Sequence, residues 1–474
     1  SLFILFAGIA TSFFFFPFQF AFLPGVNTKM LMAVVGVAIA GFRMLKNRTE
    51  GVSREFLMIC IWATAFSLIC LHSVTYNNTP DYAYASYIVS MLVWLSAAYA
   101  VCQFIQYVHG TISFRLLADY LIGVCVFQCL IALLIDFSMP VKMFIDAFIN
   151  QDEGFLTEIG RIYGIGASLD VAGTRFAAVL VVLMVLICTD EQVKENKKWL
   201  TVYLVSFVII SAIGNMIART TSVGLLVSLV YFVFATRITW INIPKSNLLL
   251  WIWMLGIFVI MISLIVFLYN YNETIHDLLR FGFEGFFNWI EHGKWETRST
   301  DHLETMWKWP ESDKTWLWGD GYFNHPDMLD PTYKGRMTLG FYMATDIGYL
   351  RFIYYCGLPG MLVFCSFLLY MAVLCYKKYD RERILFFLLI ILQLAICIMT
   401  DNKRNDVNRN IGLDIIRCIA ILFVISCHFF LLNTSLREVP FHGISLFIQA
   451  TVLSLCLTAV PLFVILTGYL NINK

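Results

Sequence analysis

Four arginines stand where an apolar chain should not carry them. Arg161 and Arg175 bracket the start of an apolar run in RIYGIGASLDVAGTRFAAVL, Arg219 lies at a turn between two runs in GNMIARTTSVGLL, and Arg351 opens another in TDIGYLRFIYYCGLPG. A charge inside or at the edge of a membrane span costs about 2.5–3.5 kcal/mol on insertion scales, so each of these residues needs a reason to be there. Guanidinium groups stay charged and offer paired donors, and several converging forks suit a phosphate or diphosphate at a membrane surface. For any single arginine the plainer reading is snorkelling toward lipid headgroups. Gly164, Gly166 and Gly173 would allow tight turns and close helix approach beside these arginines. Thr220, Thr221 and Ser222 would cap the following helix, with their donors turned to the same anion. The segment 271–345 adds Arg280, Arg298, Arg336, Asp301, His302, Glu304 and Asp320, with Asp346 at its exit. Group transfer from a diphosphate to a hydroxyl needs a base for the hydroxyl proton and cations for the leaving group. Asp301, His302, Glu304 and Asp346 are the candidate bases, each weighed against an ordinary solvated charge.

The elements that must position these residues are apolar helices. Of 474 residues 59% are hydrophobic, including 42 Phe, and 14% are charged, where a soluble domain carries roughly 25% charge. The mean hydropathy is +0.76. This composition excludes a soluble enzyme, a disordered chain and a secreted scaffold, and makes lipid the solvent for most of the chain. The net charge of +1 provides no field for nucleic acid. The 13 Cys lie mainly in apolar runs without a CxxC pattern, as packing residues and not metal ligands. At about 20 residues per crossing, the sequence predicts an all-α, polytopic integral membrane protein with about thirteen spans. They fall at 3–23, 28–45, 56–74, 84–108, 116–137, 170–189, 199–217, 220–237, 248–270, 347–376, 384–400, 412–432 and 444–467. The first lacks the basic flank and cleavage site of a signal peptide and reads as a span, with the chain a possible fragment at its start.

Lys and Arg set the orientation. Arg43, Lys46, Arg48 and Arg54, then Arg115, Lys194 to Lys198, Arg237 with Lys245, and Lys377 to Arg383 mark five cytoplasmic loops. The segments 75–83, 138–169, the turn at Arg219 and 271–345 then face the exterior or periplasm, and all four arginines share that face. Six of the 12 Trp lie in 271–345, the expected composition of an interfacial cap. One conflict appears: alternation puts 401–411 outside, whereas Lys403, Arg404 and Arg409 argue for inside.

Over about 1–400 the chain resembles the O-antigen polymerase and ligase superfamily, most closely the surface-polysaccharide polymerases of Bacteroidetes type. The resemblance is carried by FFFFPFQFAFLPGVNTKM, RIYGIGASLDVAGTRFA at 161–177, IARTTSVGL at 217–225, the large loop, and WGDGYF followed by TDIGYLRFIYYCGLPGM. It implies polymerisation of undecaprenyl-diphosphate-linked repeat units at the periplasmic face of the bacterial inner membrane, in O-antigen or capsule synthesis, with no nucleotide sugar, cofactor or metal. A flippase and a chain-length regulator of the same pathway would be partners. Arg175, Arg219, Arg298 and Arg351 match the family's diphosphate-binding arginines. Arg161 and Arg336 would join them, and Asp346 or His302 would be the base. Ligases of the superfamily use a histidine before the span that follows the loop; TDIGY puts Asp346 there, which favours a polymerase. A ligase, or a lipid-linked sugar flippase or transporter, are the alternatives, although no internal repeat of the transporter kind is present.

Residues 401–411 form a basic junction. Beyond it, 408–474 resembles the first two spans of the membrane acyltransferase-3 family, through NIGLDIIRCIAILFVISCHFF and AVPLFVILTGYLNINK. Arg417 and His428 reproduce that family's Arg and His spacing, about three helical turns apart. Two spans of about ten imply an incomplete O-acyltransferase over 412–474, without acyl transfer of its own.

Overall fold

In a computed structural model of the chain, the described residues are 2–46, 52–151, 156, 161–236, 245–271, 273–293, 305–329, 340–378 and 383–401. The chain divides into two units, Ser1–Asn402 and Lys403–Lys474. The second, which would hold the acyltransferase-like pair Arg417 and His428, lies outside the described residues, as do Arg298, Asp301, His302, Glu304 and Arg336.

The first unit is built from helices. Those of the spans are α1 (Leu2–Phe15), α2 (Thr28–Lys46), α3 (Arg54–Asn77), α4 (Tyr87–His109) and α5 (Phe114–Phe137). After α6 (Met139–Phe148) come α7 (Leu169–Thr189), the short α8 (Glu191–Glu195), α9 (Lys197–Ile217), α10 (Thr221–Ala235) and α11 (Lys245–Tyr271). The chain continues through α12 (Glu273–Gly282), α13 (Glu284–His292), α14 (Asp313–Trp318), α15 (Gly348–Lys378) and α16 (Arg383–Asp401). Among the described residues, eight helices are long and apolar enough to cross a membrane: α2 to α5, α7, α9, α11 and α15. α1 and α10 are shorter apolar helices, where the sequence predicted full spans at 3–23 and 220–237. The first is cut short by Pro17, which has no N–H to donate; the chain then enters the strand Gln19–Phe20, paired antiparallel with Ile149–Asn150.

Helix limits follow local chemistry. Ser53 and Ser113 accept from the backbone N–H groups of Phe56 and Leu116, starting α3 and α5. Asn78, in the left-handed region at φ 52°, ends α3. α7 is apolar on all sides and buried from Phe176 through Ile187, among α5, α9, α10 and α16, as expected of a core helix. The periphery keeps large apolar side chains in the open, for example Val34 at 70% and Ile260 at 67% exposure. A water-soluble protein would not present so continuous an apolar surface.

α15 is broken, and the break organises one end of the bundle. Pro359 can neither donate to nor tolerate the carbonyl four residues earlier, that of Tyr355. The freed carbonyl accepts from Ser73 Oγ at 2.6 Å and Gly321 N at 3.2 Å, and the Tyr354 carbonyl accepts from Asp320 N at 2.5 Å. Gly357 carries the bend at φ +67°, packed so closely that a Cβ there would lie 2.5 Å from the Leu317 carbonyl oxygen. The WGDGYF segment is thereby strapped to the broken helix. Asp81, 3% exposed, accepts from the Phe323 and Asn324 N–H groups at 2.8 and 3.0 Å and fixes the strap to the loop after α3.

The Gly357→Ala variant is expected to lose at least about 1–3 kcal/mol, read as a lowered unfolding temperature in detergent. Gly348→Ala, with nothing within 4 Å of the added methyl, should leave that temperature unchanged.

Candidate functional site

The loop before α7 is set by one buried amide. Gln128, 0% exposed on α5, accepts from Ile165 N and donates to Ile165 O, both at 2.9 Å. These two hydrogen bonds hold the GIGAS loop at the head of α7, between Arg161 and Arg175. Gly166, at φ +69°, passes within contact of the Phe16 and Pro17 carbonyls, which brings the end of α1 against α7. Gly173 lets α7 close on Ala218 and Thr220. The expectation of close helix approach at these glycines is realised.

Every candidate arginine in the described residues lies on an aromatic face. Arg351 Cζ is 3.4 Å from the Phe341 ring centre and 4.1 Å from that of Phe323. Arg219 and Arg161 share Phe281, at 4.3 and 5.2 Å. Arg175 is 5.6 Å from Phe16 and 5.9 Å from Trp94. Lys29 Nζ sits over that same Trp94, 3.9 Å from its centre. Such contacts contribute about 0.5–2 kcal/mol each, more where water is excluded, and use the face of the cation while leaving N–H donors for an anion.

The cations differ in their partners. Arg219 pairs with Glu284 at 2.5 Å and donates from Nε to the Phe281 carbonyl at 3.0 Å, so the turn between α9 and α10 grips the join of α12 and α13. Arg351 pairs with Asp346 at 2.8 Å. Arg280 is engaged by Glu291 in a two-pronged pair at 2.9 and 2.7 Å, a structural role. Among the described residues, no carboxylate lies within ion-pair distance of Arg175, Lys29 or Arg161. Two cations beside one indole, with no carboxylate in ion-pair distance among the described residues, have the chemistry to hold a phosphate group by charge and by donated hydrogen bonds.

Asp346, just before α15, accepts from Arg351 and lies close enough to Asp170 to feel its charge. Burial pushes its carboxyl above the ordinary range, Asp170 adds to the rise, and the Arg351 guanidinium opposes both. Asp170 in turn accepts from Thr220 Oγ1 at 3.0 Å. Asp346, Asp170 and Arg219 are thus near one another at the same end of the bundle.

One expectation is corrected. Thr220, Thr221 and Ser222 do not cap α10 through their hydroxyls. Thr221 donates to the Gly214 carbonyl at 3.0 Å and Ser222 to Asn215 Oδ1 at 2.5 Å. The turn is so tight that α9 itself supplies the nearest acceptors, and those hydroxyls are spent within the protein instead of facing an anion. Asp320 is likewise structural: it accepts from Thr315 Oγ1 at 2.9 Å and from Tyr342 Oη at 3.4 Å.

Sequence reasoning missed Lys29, Trp94, Phe281 and Glu284. Lys29 gave no distinguishing signal, because Lys142, Lys308 and Lys314 also lie in segments read as outward-facing. The aromatic partners Phe16, Trp94, Phe281, Phe323 and Phe341 gave none either, being five among 76 aromatic residues with no periodicity to mark them. No protein-family profile, curated protein or solved structure matches the chain.

Arg219→Ala strands the Glu284 carboxylate, 18% exposed. Breaking this half-buried pair should cost less than the about 3–5 kcal/mol of a fully buried one. The double variant Arg219→Ala/Glu284→Gln should recover a measurable part of the lost unfolding temperature; equal values for single and double variants would remove the pair from the account.

Proposed function

We propose that the chain is an integral-membrane glycosyltransferase that polymerises undecaprenyl-diphosphate-linked oligosaccharide repeat units at the periplasmic face of a bacterial inner membrane. The observation that carries this reading is the gathering of Arg161, Arg175, Arg219, Arg351 and Lys29 at one end of an apolar bundle, each cation on an aromatic face. The resemblance to the O-antigen polymerase and ligase superfamily supports it, as does the positive-inside pattern, which turns that end outward.

In this reading Arg175 and Lys29 bind the diphosphate of a lipid-linked chain, and Arg219 and Arg161 receive the charge that develops as it leaves. The hydroxyl of the incoming unit attacks the anomeric carbon in line, the bond from that carbon to the diphosphate oxygen breaks with its electron pair, and the configuration inverts. The hydroxyl proton passes to a carboxylate. Asp346 fits this task, because a carboxyl raised by burial holds a proton better than an exposed one. Arg351, at 2.8 Å, keeps it ionised until the transfer. Asp346 in place of a histidine favours a polymerase over a ligase.

In a host lacking its own polymerase and supplied with matching repeat units, the chain should produce a polysaccharide ladder, and Arg219→Ala or Arg175→Ala should reduce it to single repeats. A full ladder from either variant would overturn the assignment of diphosphate binding to that residue. In isolated membranes the rate should fall as the pH drops through the Asp346 titration, at a pH above the usual carboxylate value near 4, and Asp346→Asn should abolish it throughout.

A further inference from the structure

Beside Arg161 an open cleft of about 410 Å³ lies between the end of α5, α6, the 161–163 segment and α12. Its size falls within the range of small-molecule sites, about 300–1,000 Å³. Its walls carry Asp136, Glu273 and Asp277 as acceptors and Lys142 and Arg161 as donors, with Thr274 at the rim. Its lining also includes the apolar side chains of Ala132, Ile135, Ile162 and Leu278. Tyr163 also lines it, but its hydroxyl donates to both oxygens of Asp146 at 2.9 and 3.0 Å and is committed there.

This lining selects a ligand by elimination. A phosphate would face three carboxylates against two cations. A metal ion would need three converging ligands, and no such group occurs among the described residues. A lipid chain would strip water from five charged groups at a cost nothing repays. What remains is a neutral molecule with many hydroxyls, which donates to carboxylates, accepts from Lys142 and Arg161, and lays its C–H face on the apolar side chains. Arg161 shares the Phe281 ring with Arg219, so a molecule in the cleft sits next to the cations assigned to the leaving diphosphate.

We propose that this cleft is a saccharide subsite that holds a sugar ring of the substrate glycan beside the transfer site, with Asp136, Glu273 and Asp277 reading its hydroxyls. The inference rests on the polymerase reading for the source of the sugar, and it makes these three carboxylates determinants of sugar specificity without a role in bond breaking.

Two measurements separate its failure from that of the reading it rests on. In the polymerase-deficient host, wild type should give a ladder and Glu273→Gln/Asp277→Asn one whose modal length falls several-fold, with Asp136→Asn, on a different helix, doing the same. An unchanged ladder in all variants overturns the subsite and leaves the polymerase standing. No ladder from wild type overturns the polymerase, and the second measurement then decides the cleft. The purified chain in lipid nanodiscs is mixed with free galactose, mannose and N-acetylglucosamine and examined by saturation-transfer NMR. At least one sugar should receive saturation from wild type and lose it in Glu273→Gln/Asp277→Asn. Absence of transfer in wild type, or equal transfer in that variant, overturns the proposal.

Discussion

A guanidinium held at the edge of an apolar bundle must replace its water with something, and here the replacement is an aromatic ring. Arg161, Arg175, Arg219 and Arg351 each meet a phenylalanine or tryptophan face within 6 Å, as does Lys29. A carboxylate at every position would also have solved the desolvation problem, at the loss of the charge. At Arg161, Arg175 and Lys29, which have no carboxylate within ion-pair distance among the described residues, the ring solves it without neutralising the charge. Where carboxylates are added, at Glu284 and Asp346, they do a second job, one tying α13 to the turn after α9 and the other standing as a proton acceptor in the proposed reaction.

The second constraint is the need to satisfy every backbone group in a nonpolar setting. Pro359 frees the Tyr355 carbonyl within α15, and the structure meets it with Ser73 Oγ and Gly321 N. That single break recruits the WGDGYF strap, which Asp81 holds from the other side. The strap fixes the first half of α15, and with it Arg351 and Asp346. The WGDGYF segment, which carries part of the family resemblance in the sequence, is a structural support here.

Much of this was legible in the sequence because membrane helices announce themselves by length and hydropathy. The runs at 56–74, 84–108, 170–189, 199–217 and 347–376 all correspond to helices with ends within a few residues. The clearly misread end has a physical cause: Pro17 stops α1 early. Arg175, Arg219 and Arg351 stood out because a charge in an apolar run is conspicuous. Their aromatic partners could not, since Phe281, Phe341 and Trp94 are ordinary residues in a chain with 16% aromatics, and the fold brings Phe281 and Trp94 from distant segments. The same holds for the cleft beside Arg161, whose carboxylates come from α5 and α12, 137 or more positions apart along the chain from Asp136 to Glu273.

The central claim is that the ring-supported cations bind a lipid diphosphate, and binding tests it without any polymer. The purified chain in nanodiscs would be titrated with farnesyl diphosphate, as a short isoprenoid diphosphate, at low and high salt. The account predicts saturable, salt-sensitive binding that weakens at least tenfold, about 1.4 kcal/mol, in Arg175→Gln, with farnesol unable to compete. Equal affinity in wild type and Arg175→Gln, or competition by farnesol as strong as by the diphosphate, would contradict it.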